Sequence, residues 1–337
     1  MSGVAIYRIY IMNWHMRMYS KELEEKNIIL KLINEEKDNL NNDLEDLNRN
    51  LEIKVVERTQ EIFDMMEKIK TLKVQQDADY FLTTLIEKPL CKINNDSKII
   101  HVDTFTRQKK AFEFRNKKWE LGGDISIVSN LHFSSFDDKY IFFFNGDAMG
   151  KSMQGAGGAI VAGTAIHNIL NRAYARKRPV RKKPDVWLNE VYNELDSVFR
   201  TFEGSMLMSG VIGLIREKTG EVLLINAEHP LSILYKDNRA SFIEDSITLH
   251  KMGAPIDTEF KMERFNLNKG DSLIIGSDGK DDLELFQENG KLIMNEKETL
   301  ILEFVEEGKG DLKEIISVID KRANIIDDIS LLKITMT

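Results

Sequence analysis

Over residues 20–74 apolar side chains return every seven positions in a chain that is otherwise polar and free of Gly and Pro. Leu23, Leu30, Leu44, Leu51, Met65 and Leu72 fall on one grid, with Lys37 and Arg58 in its gaps. Ile33, Leu40 and Leu47 form a second seam three residues after the first, which then shifts by one to Val55, Ile62 and Ile69. A helix packed on a domain shows a wider apolar face, so this narrow double seam predicts a coiled coil and a parallel homodimer through residues 20–74. The shift of the second seam marks a local change in winding. Ahead of it, residues 1–19 carry a short apolar stretch, Val4–Met12, interrupted by Arg8. It is too short to span a bilayer. It reads as the start of a helix, or as an interfacial contact with a membrane or a separate sensor.

From residue 75 the pattern changes. Tyr80, Phe81, Leu82, Leu85 and Ile86 suggest a further helical piece over 75–96, ended or kinked by Pro89. Strands are predicted at Ile99–Val102, Ala111–Phe114, Ile125–Val128 and Tyr140–Phe144, and helices over 153–174 and 185–200. Beyond Gly204 turn signals recur about every ten residues, as in antiparallel strands: 206–215, 222–226, 231–235, 242–244, 265–267 and 272–275. Two more helices are expected near 297–307 and 312–321, then a last strand at Ile329–Ile334. Runs of strands with inserted helices predict an α+β domain over residues 75–337.

The chain has 337 residues, 42% hydrophobic and 30% charged, with a net charge of -8. That fits a soluble, mildly acidic protein and disfavours nucleic acid as a partner. The single cysteine, Cys91, excludes an intrachain disulfide framework and a Cys-rich zinc site, and suits a reducing cytoplasm. No signal peptide is legible, so the expected location is cytoplasmic, with membrane association through residues 1–19 as the variant.

The chemistry centres on Lys139–Gly158, where an aromatic strand runs into Asn145-Gly146-Asp147 and then a helix rich in small residues. Gly150-Lys151-Ser152 copies the end of a phosphate-binding P-loop. The spacing fails, because the position that should hold the first Gly is Asn145, and Asp147 would point a negative charge into a phosphate nest. A hard-metal site is the better reading, and it predicts further acids at strand ends. Asp124 follows Gly122-Gly123, Asp278 lies in Gly276-Ser277-Asp278-Gly279, and Asp327-Asp328 directly precedes the last strand. Alone, each is an ordinary turn acid. Gathered together they would repel one another unless a divalent cation pair joined them. All-oxygen ligation points to Mg²⁺ or Mn²⁺ rather than Zn²⁺, and two such ions can activate water for in-line attack on a phosphoester. No Ser-His-Asp or Cys-His arrangement is evident. His229 reads as a turn residue rather than a base, and Arg172–Lys183 as a basic helix end and loop, or a docking patch for an acidic protein.

The ordered set Gly122-Gly123-Asp124, Gly146-Asp147-Ala148-Met149-Gly150-Lys151, Asn226-Ala227-Glu228-His229-Pro230, Ser277-Asp278-Gly279 and Asp327-Asp328-Ile329-Ser330 resembles the PPM metal-dependent protein serine/threonine phosphatases, in the bacterial SpoIIE branch that includes RsbU-like regulators. The resemblance covers about residues 75–337. It implies an α-β-β-α sandwich of two antiparallel sheets flanked by helices, here preceded by the long coiled-coil helix. It also implies two Mn²⁺ or Mg²⁺ ions at one end of the sandwich. Asp147 would bridge them, with the carbonyl of Ala148 facing a metal or its water. Asp124 would serve one ion; Asp278 and Asp327 would serve the other, with Asp328 behind them. Asp147 and Asp278 are the acids expected to carry catalysis. The implied substrate is a phosphorylated regulatory protein such as an anti-sigma-factor antagonist. The helices after the first metal turn would act as a switch under the control of the coiled coil. Lys151 is read as a surface lysine. Three departures stand out: Glu228 in place of the usual Gly, Lys280-Asp281-Asp282 after Asp-Gly, and Ala148 where Val is common. They touch substrate fit near Glu228 and Lys280 and leave every acid in place. The other readings are a phosphoprotein-binding adaptor without activity and the disfavoured P-loop NTPase.

Overall fold

The computed structural model describes residues 3–134, 138–175, 179–246, 250–256, 261–287 and 290–337. Contacts divide the chain into two units, Met1–Val74 and Gln75–Thr337. The first unit is helix throughout its described residues, part of α1 (Gly3–Glu87). The apolar stretch 4–12 and the seven-residue repeat both lie in α1, and the seam residues Leu23, Leu30, Leu44, Leu51, Met65 and Leu72 are all exposed. No described helix is long and apolar enough to cross a membrane.

In the second unit the last turns of α1 are followed by β1 (Ile100–Arg107), β2 (Lys110–Phe114), β3 (Lys117–Leu121), β4 (Asp124–Phe133), β5 (Asp138–Ala148), α2 (Met153–Ala175) and α3 (Pro184–Arg200). Then come β6 (Met208–Arg216), β7 (Glu221–Ala227), β8 (Ile233–Lys236), β9 (Arg239–Phe242), β10 (Met262–Asn266) and β11 (Ser272–Gly276). The chain closes with β12 (Leu283–Phe286), β13 (Leu292–Met294), α4 (Leu300–Glu307), α5 (Leu312–Arg322), β14 (Ala323–Ile325) and β15 (Ile329–Met336). Two five-stranded antiparallel sheets result, ordered β10-β7-β6-β5-β4 and β1-β15-β11-β8-β9. The expected α-β-β-α sandwich is therefore the observed fold.

Strand alternation explains why the central strands read as unbroken apolar runs, since successive side chains face opposite sides and both sides are covered. In β5, Tyr140, Phe142 and Phe144 enter the core under α2 and α3, while Ile141 and Phe143 enter the core between the sheets. In β7, Leu223 and Ile225 face the helices, and Val222 and Leu224 the opposite sheet. In the second sheet Ile329 and Leu331 of β15 face α4 and α5, and Leu332 and Ile334 look inward. Pro184 opens α3 at a position that needs no backbone donor, and Asp311 caps α5 by accepting from Lys313 N and Glu314 N.

Some elements differ from expectation. The strand expected at 242–244 ends at Phe242, and β3, β12, β13 and β14 have no counterpart among the expected strands. Residues 176–178 of the basic run lie outside the described residues. Of its remainder, Arg172 and Lys182 form exposed ion pairs with Glu194 and Glu190 of α3.

Candidate functional site

The turn that ends β5 and the residue that begins β4 face one another. Asp124 and Asp147 are direct partners in the β4–β5 ladder, a placement in which like charges repel at close range. Gly123 explains the closeness. A Cβ at Gly123 would stand 2.5 Å from the carbonyl oxygen of Ala148 and 3.1 Å from Asp147 Oδ1, so both oxygens border the space above it.

The second sheet brings the other acids to the same end. Ser277, just past β11, donates from Oγ to Asp124 Oδ2 at 2.6 Å and accepts at Oγ from Ser330 N at 2.9 Å. Asp328, just before β15, accepts at Oδ2 from Gly123 N (2.9 Å) and at Oδ1 from Lys109 N (2.6 Å). Asp278 opens a short 3₁₀ turn after β11, and Asp327 is half-buried beside Asp328. Asp124, Asp147, Asp278, Asp327 and Asp328, scattered along the chain, thus gather at one end of the sandwich.

Their electrostatics are those of crowded acids. Burial raises Asp124 well above the usual carboxylate range; Asp147, Asp328 and Asp278 raise it further, against the Ser277 hydrogen bond. Asp147 is pushed up to about 7, first by burial and then by Asp278, Asp328 and Asp327. Asp278, accessible to solvent yet set among protein and other acids, rises to about 6 through burial and the charges of Asp282 and Asp327. Asp328 is raised by burial, with its two backbone donors opposing. Asp124 Oδ1 is buried without a hydrogen-bond partner. Such an atom calls for a ligand, and the surrounding donors are carboxylate and carbonyl oxygens, the set that suits a hard divalent cation. The residues present therefore fit such an ion. Among the described residues, no three or more His, Cys, Asp or Glu side chains are drawn together closely enough to hold an ion as they stand, so the fit is one of donor chemistry.

Below the acids runs a polar network that the sequence pattern did not reveal. Asn145, buried in β5, donates from Nδ2 to Ser126 Oγ (3.0 Å) and Ser330 Oγ (2.9 Å), tying the two sheets together. Its Oδ1 lies 3.0 Å from His229 Nε2, and His229 Nδ1 lies 3.0 Å from Ser209 Oγ. Since Asn145 Oδ1 can only accept, Nε2 carries the proton and Nδ1 accepts from Ser209. His229 does occupy a turn, with its backbone N–H donated to Asn226 Oδ1 at 2.8 Å, but it is also a wholly buried, neutral link. The available clue was Asn145 itself: a polar residue inside an apolar strand must find partners.

Burial, with the charges of Lys280 and Lys251, pushes His229 down to about 3. An unfolded chain takes up that proton near pH 6.5. The folded protein resists it to about pH 3, so stability present above pH 6.5 is lost as pH falls. At about 1.4 kcal/mol per pH unit, His229 should remove about 2 kcal/mol between pH 7 and pH 5. Urea denaturation of wild type and His229→Gln at both pH values reads this directly: the stability difference should shrink by that amount at pH 5. A pH-independent difference would refute it.

Lys280 is buried and paired with Asp281, so it does not face a substrate. Lys151 is exposed, as expected.

The family model of SpoIIE, Stage II sporulation protein E, matches residues 137–337. Among solved structures, the RsbU and RsbW domains of a Mycobacterium tuberculosis protein align at 18% identity over 71% of this chain and 60% of that one, with a TM-score of 0.51. The SiaA PP2C domain of Pseudomonas aeruginosa aligns at 14% identity over 80% of this chain and 97% of that one, TM-score 0.54. The PP2C phosphatase domain of Bacillus subtilis SpoIIE, with a fragment of its regulatory domain, aligns at 12% identity over 72% and 64%, TM-score 0.51. The chain thus spans less than two thirds of the first and third of these. At such identities the likeness establishes the fold, which is that of the PP2C phosphatases. No curated protein matches the chain.

Proposed function

The chain belongs to the SpoIIE family, by a match over residues 137–337, and on that premise we propose that it is a metal-dependent protein serine/threonine phosphatase. Its substrate in this reading is a phosphorylated regulatory protein of the anti-sigma-factor-antagonist kind. The observation that carries the proposal is the unpartnered Asp124 Oδ1 beside Asp147, at the point where Asp278, Asp327 and Asp328 arrive from the other sheet.

Two Mn²⁺ or Mg²⁺ ions, when bound, supply Lewis-acid activation of water toward a phosphoester. Asp124, Asp147, Asp278, Asp327 and the Ala148 carbonyl are the groups assigned to hold them. Asp328 has both carboxylate oxygens committed to backbone donors, which favours a positioning role: it fixes Gly123 and Lys109 around the acids. The buried Ser277 and Asn145 links hold the two sheets in register beneath, so that acids from both meet without rearrangement. A substrate partner of regulatory type is supported by the likeness to a chain that carries RsbU and RsbW domains. The test is hydrolysis of p-nitrophenyl phosphate by the full chain with and without Mn²⁺; no Mn²⁺-dependent turnover would sink the proposal.

Regulation is assigned to the long helix. Its exposed seam residues (Leu23, Leu30, Ile33, Leu40) are apolar positions that a second copy would cover. The last turns of the same helix lie within the unit Gln75–Thr337. Tyr80 packs on Phe112, and Phe81 stacks on Phe114 at 4.5 Å and meets Trp119 edge-on. Thr83 Oγ1 donates to the sulfur of Met153, the first residue of α2. A shift in the dimer could thus reach α2, which comes directly after the Asp147 turn. A chain beginning at Lys73 is expected to be monomeric in sedimentation, where the full chain is dimeric, and to differ severalfold in basal activity or Mn²⁺ requirement. Unchanged kinetics would defeat the gating.

A further inference from the structure

An acid cluster repels a phosphoester dianion as strongly as it attracts metal, so a phosphatase site of this kind gains from a cation at its rim. Four lysines lie near enough to consider. Lys280 is buried against Asp281. Lys109 donates from Nζ to the Ile326 carbonyl. Lys151 is exposed, and among the described residues it forms no ion pair with the acids. Lys251 is different.

Lys251 sits between two buried residues, His250 and Met252. Met252 exchanges two backbone hydrogen bonds with Met208, N to O at 2.9 Å and 3.1 Å. Met208 is in turn the β6 partner of Ala148, the residue after Asp147. Gly253 N donates to Asp196 Oδ1 of α3 at 2.8 Å, which pins the far side of the segment. The backbone of Lys251 is therefore fixed one strand away from the acid turn, while its side chain remains 26% exposed. Among the described residues its ammonium makes no hydrogen bond. Among the described residues its one ion-pair partner is Glu228 Oε1 at 3.9 Å, beyond hydrogen-bond length. Its charge nevertheless reaches the site, opposing the mutual repulsion at both Asp147 and Asp278. Glu228 itself stands at φ +50°, a left-handed backbone that favours glycine. A carboxylate kept at a position where glycine fits better needs a reason, and holding Lys251 supplies one.

We propose that Lys251 binds the phosphoryl group of the substrate, and that Glu228 holds its ammonium loosely at the rim, to be displaced by the incoming phosphate. Lysine is a suitable point charge for phosphate oxygens, and a contact of this length is readily exchanged for a direct one. The inference rests on the phosphatase reading of the neighbouring acids.

The experiment uses the full chain, with inorganic phosphate as inhibitor of p-nitrophenyl phosphate hydrolysis, and thermal denaturation with and without Mn²⁺. Lys251→Met should raise the inhibition constant of phosphate and the KM by at least about tenfold, with a smaller change in kcat, and Lys251→Arg should restore part of the loss. The Mn²⁺-induced rise in Tm should be kept or enlarged in Lys251→Met, because a cation beside the acids has been removed. A lysine of merely structural value would not separate the two readouts. Glu228→Gly should lower the inhibition constant of phosphate and raise Tm. An unchanged inhibition constant in Lys251→Met, or loss of the Mn²⁺ response along with it, overturns the assignment of Lys251. An unchanged constant in Glu228→Gly overturns the holding role. Failure of the phosphatase reading looks different: wild type itself would show neither Mn²⁺-dependent hydrolysis nor phosphate inhibition.

Discussion

Asp278→Ala is expected to abolish Mn²⁺-stimulated hydrolysis of p-nitrophenyl phosphate, lowering kcat/KM by about 10³-fold or more, while leaving the metal-free protein at least as stable as wild type. The two halves of this result share one cause. Asp278 is crowded by Asp282 and Asp327, and its charge helps drive Asp147 up to about 7. Removing it relieves repulsion, the reverse of an ordinary core truncation. With metal present the sign changes. A ligand at 100 times its dissociation constant stabilises the folded state by about 2.7 kcal/mol, and the variant should lose that gain. The same crowding sets the pH dependence. These carboxyls hold their protons more tightly folded than unfolded, so metal-free stability is present at low pH and declines as pH rises from 3.8 through about 7. Mn²⁺, which needs the charged forms, should therefore raise Tm more at pH 7.5 than at pH 5.5. A variant that kept its Mn²⁺-dependent kcat/KM within tenfold of wild type would remove Asp278 from the site.

The acids were legible because Gly and Asp interrupt strong apolar strands. Tyr140–Phe144 and Ser272–Ile275 could hardly be read otherwise, and the turns that end them carry Asp147 and Asp278. The two-sided burial of β5 and β7 is likewise written in their continuous hydrophobicity. The elements that escaped notice did so for two physical reasons. The strands β12, β13 and β14 are short and lie in a three-stranded sheet at the periphery, where Leu292, Ile293 and Met294 are exposed. Strands of three or four residues leave no alternation to detect. The network of Ser126, Asn145, Ser209, His229 and Ser330 escaped because its members come from separate strands, so no spacing along the chain relates them. Lys251 escaped for the same reason: nothing near it in sequence shows that Met252 pairs with Met208.

Gly158→Ala should lower kcat/KM about a hundredfold, whereas Gly157→Ala, one residue earlier on the same helix, should leave activity intact and raise stability. Both positions lie in α2 with ordinary backbone angles, so both substitutions gain about 0.5–1 kcal/mol of helix propensity. Their surroundings separate them. A methyl at 157 would find its nearest neighbour, the Met206 methyl, at 3.6 Å, an ordinary contact. A methyl at 158 would lie 2.4 Å from Ala148 Cβ, which real atoms do not tolerate. Ala148 cannot readily yield, since it is paired with Met208 in the sheet and its N–H is donated to Gly123 O at 3.2 Å. Either α2 lifts from the sheet or the Asp147–Ala148 turn moves toward Gly123. Overpacking of this kind destabilises by about 1–3 kcal/mol, and a displacement near 1 Å at a reacting centre can lower rate about a hundredfold. The Mn²⁺ concentration for half-maximal activity should rise with it, because the Ala148 carbonyl is among the oxygens that face the space above Gly123. If Gly158→Ala retained wild-type kinetics and metal requirement, the seat of α2 against the Asp147 turn would not control the site, and the route from the long helix through Met153 would lose its last step.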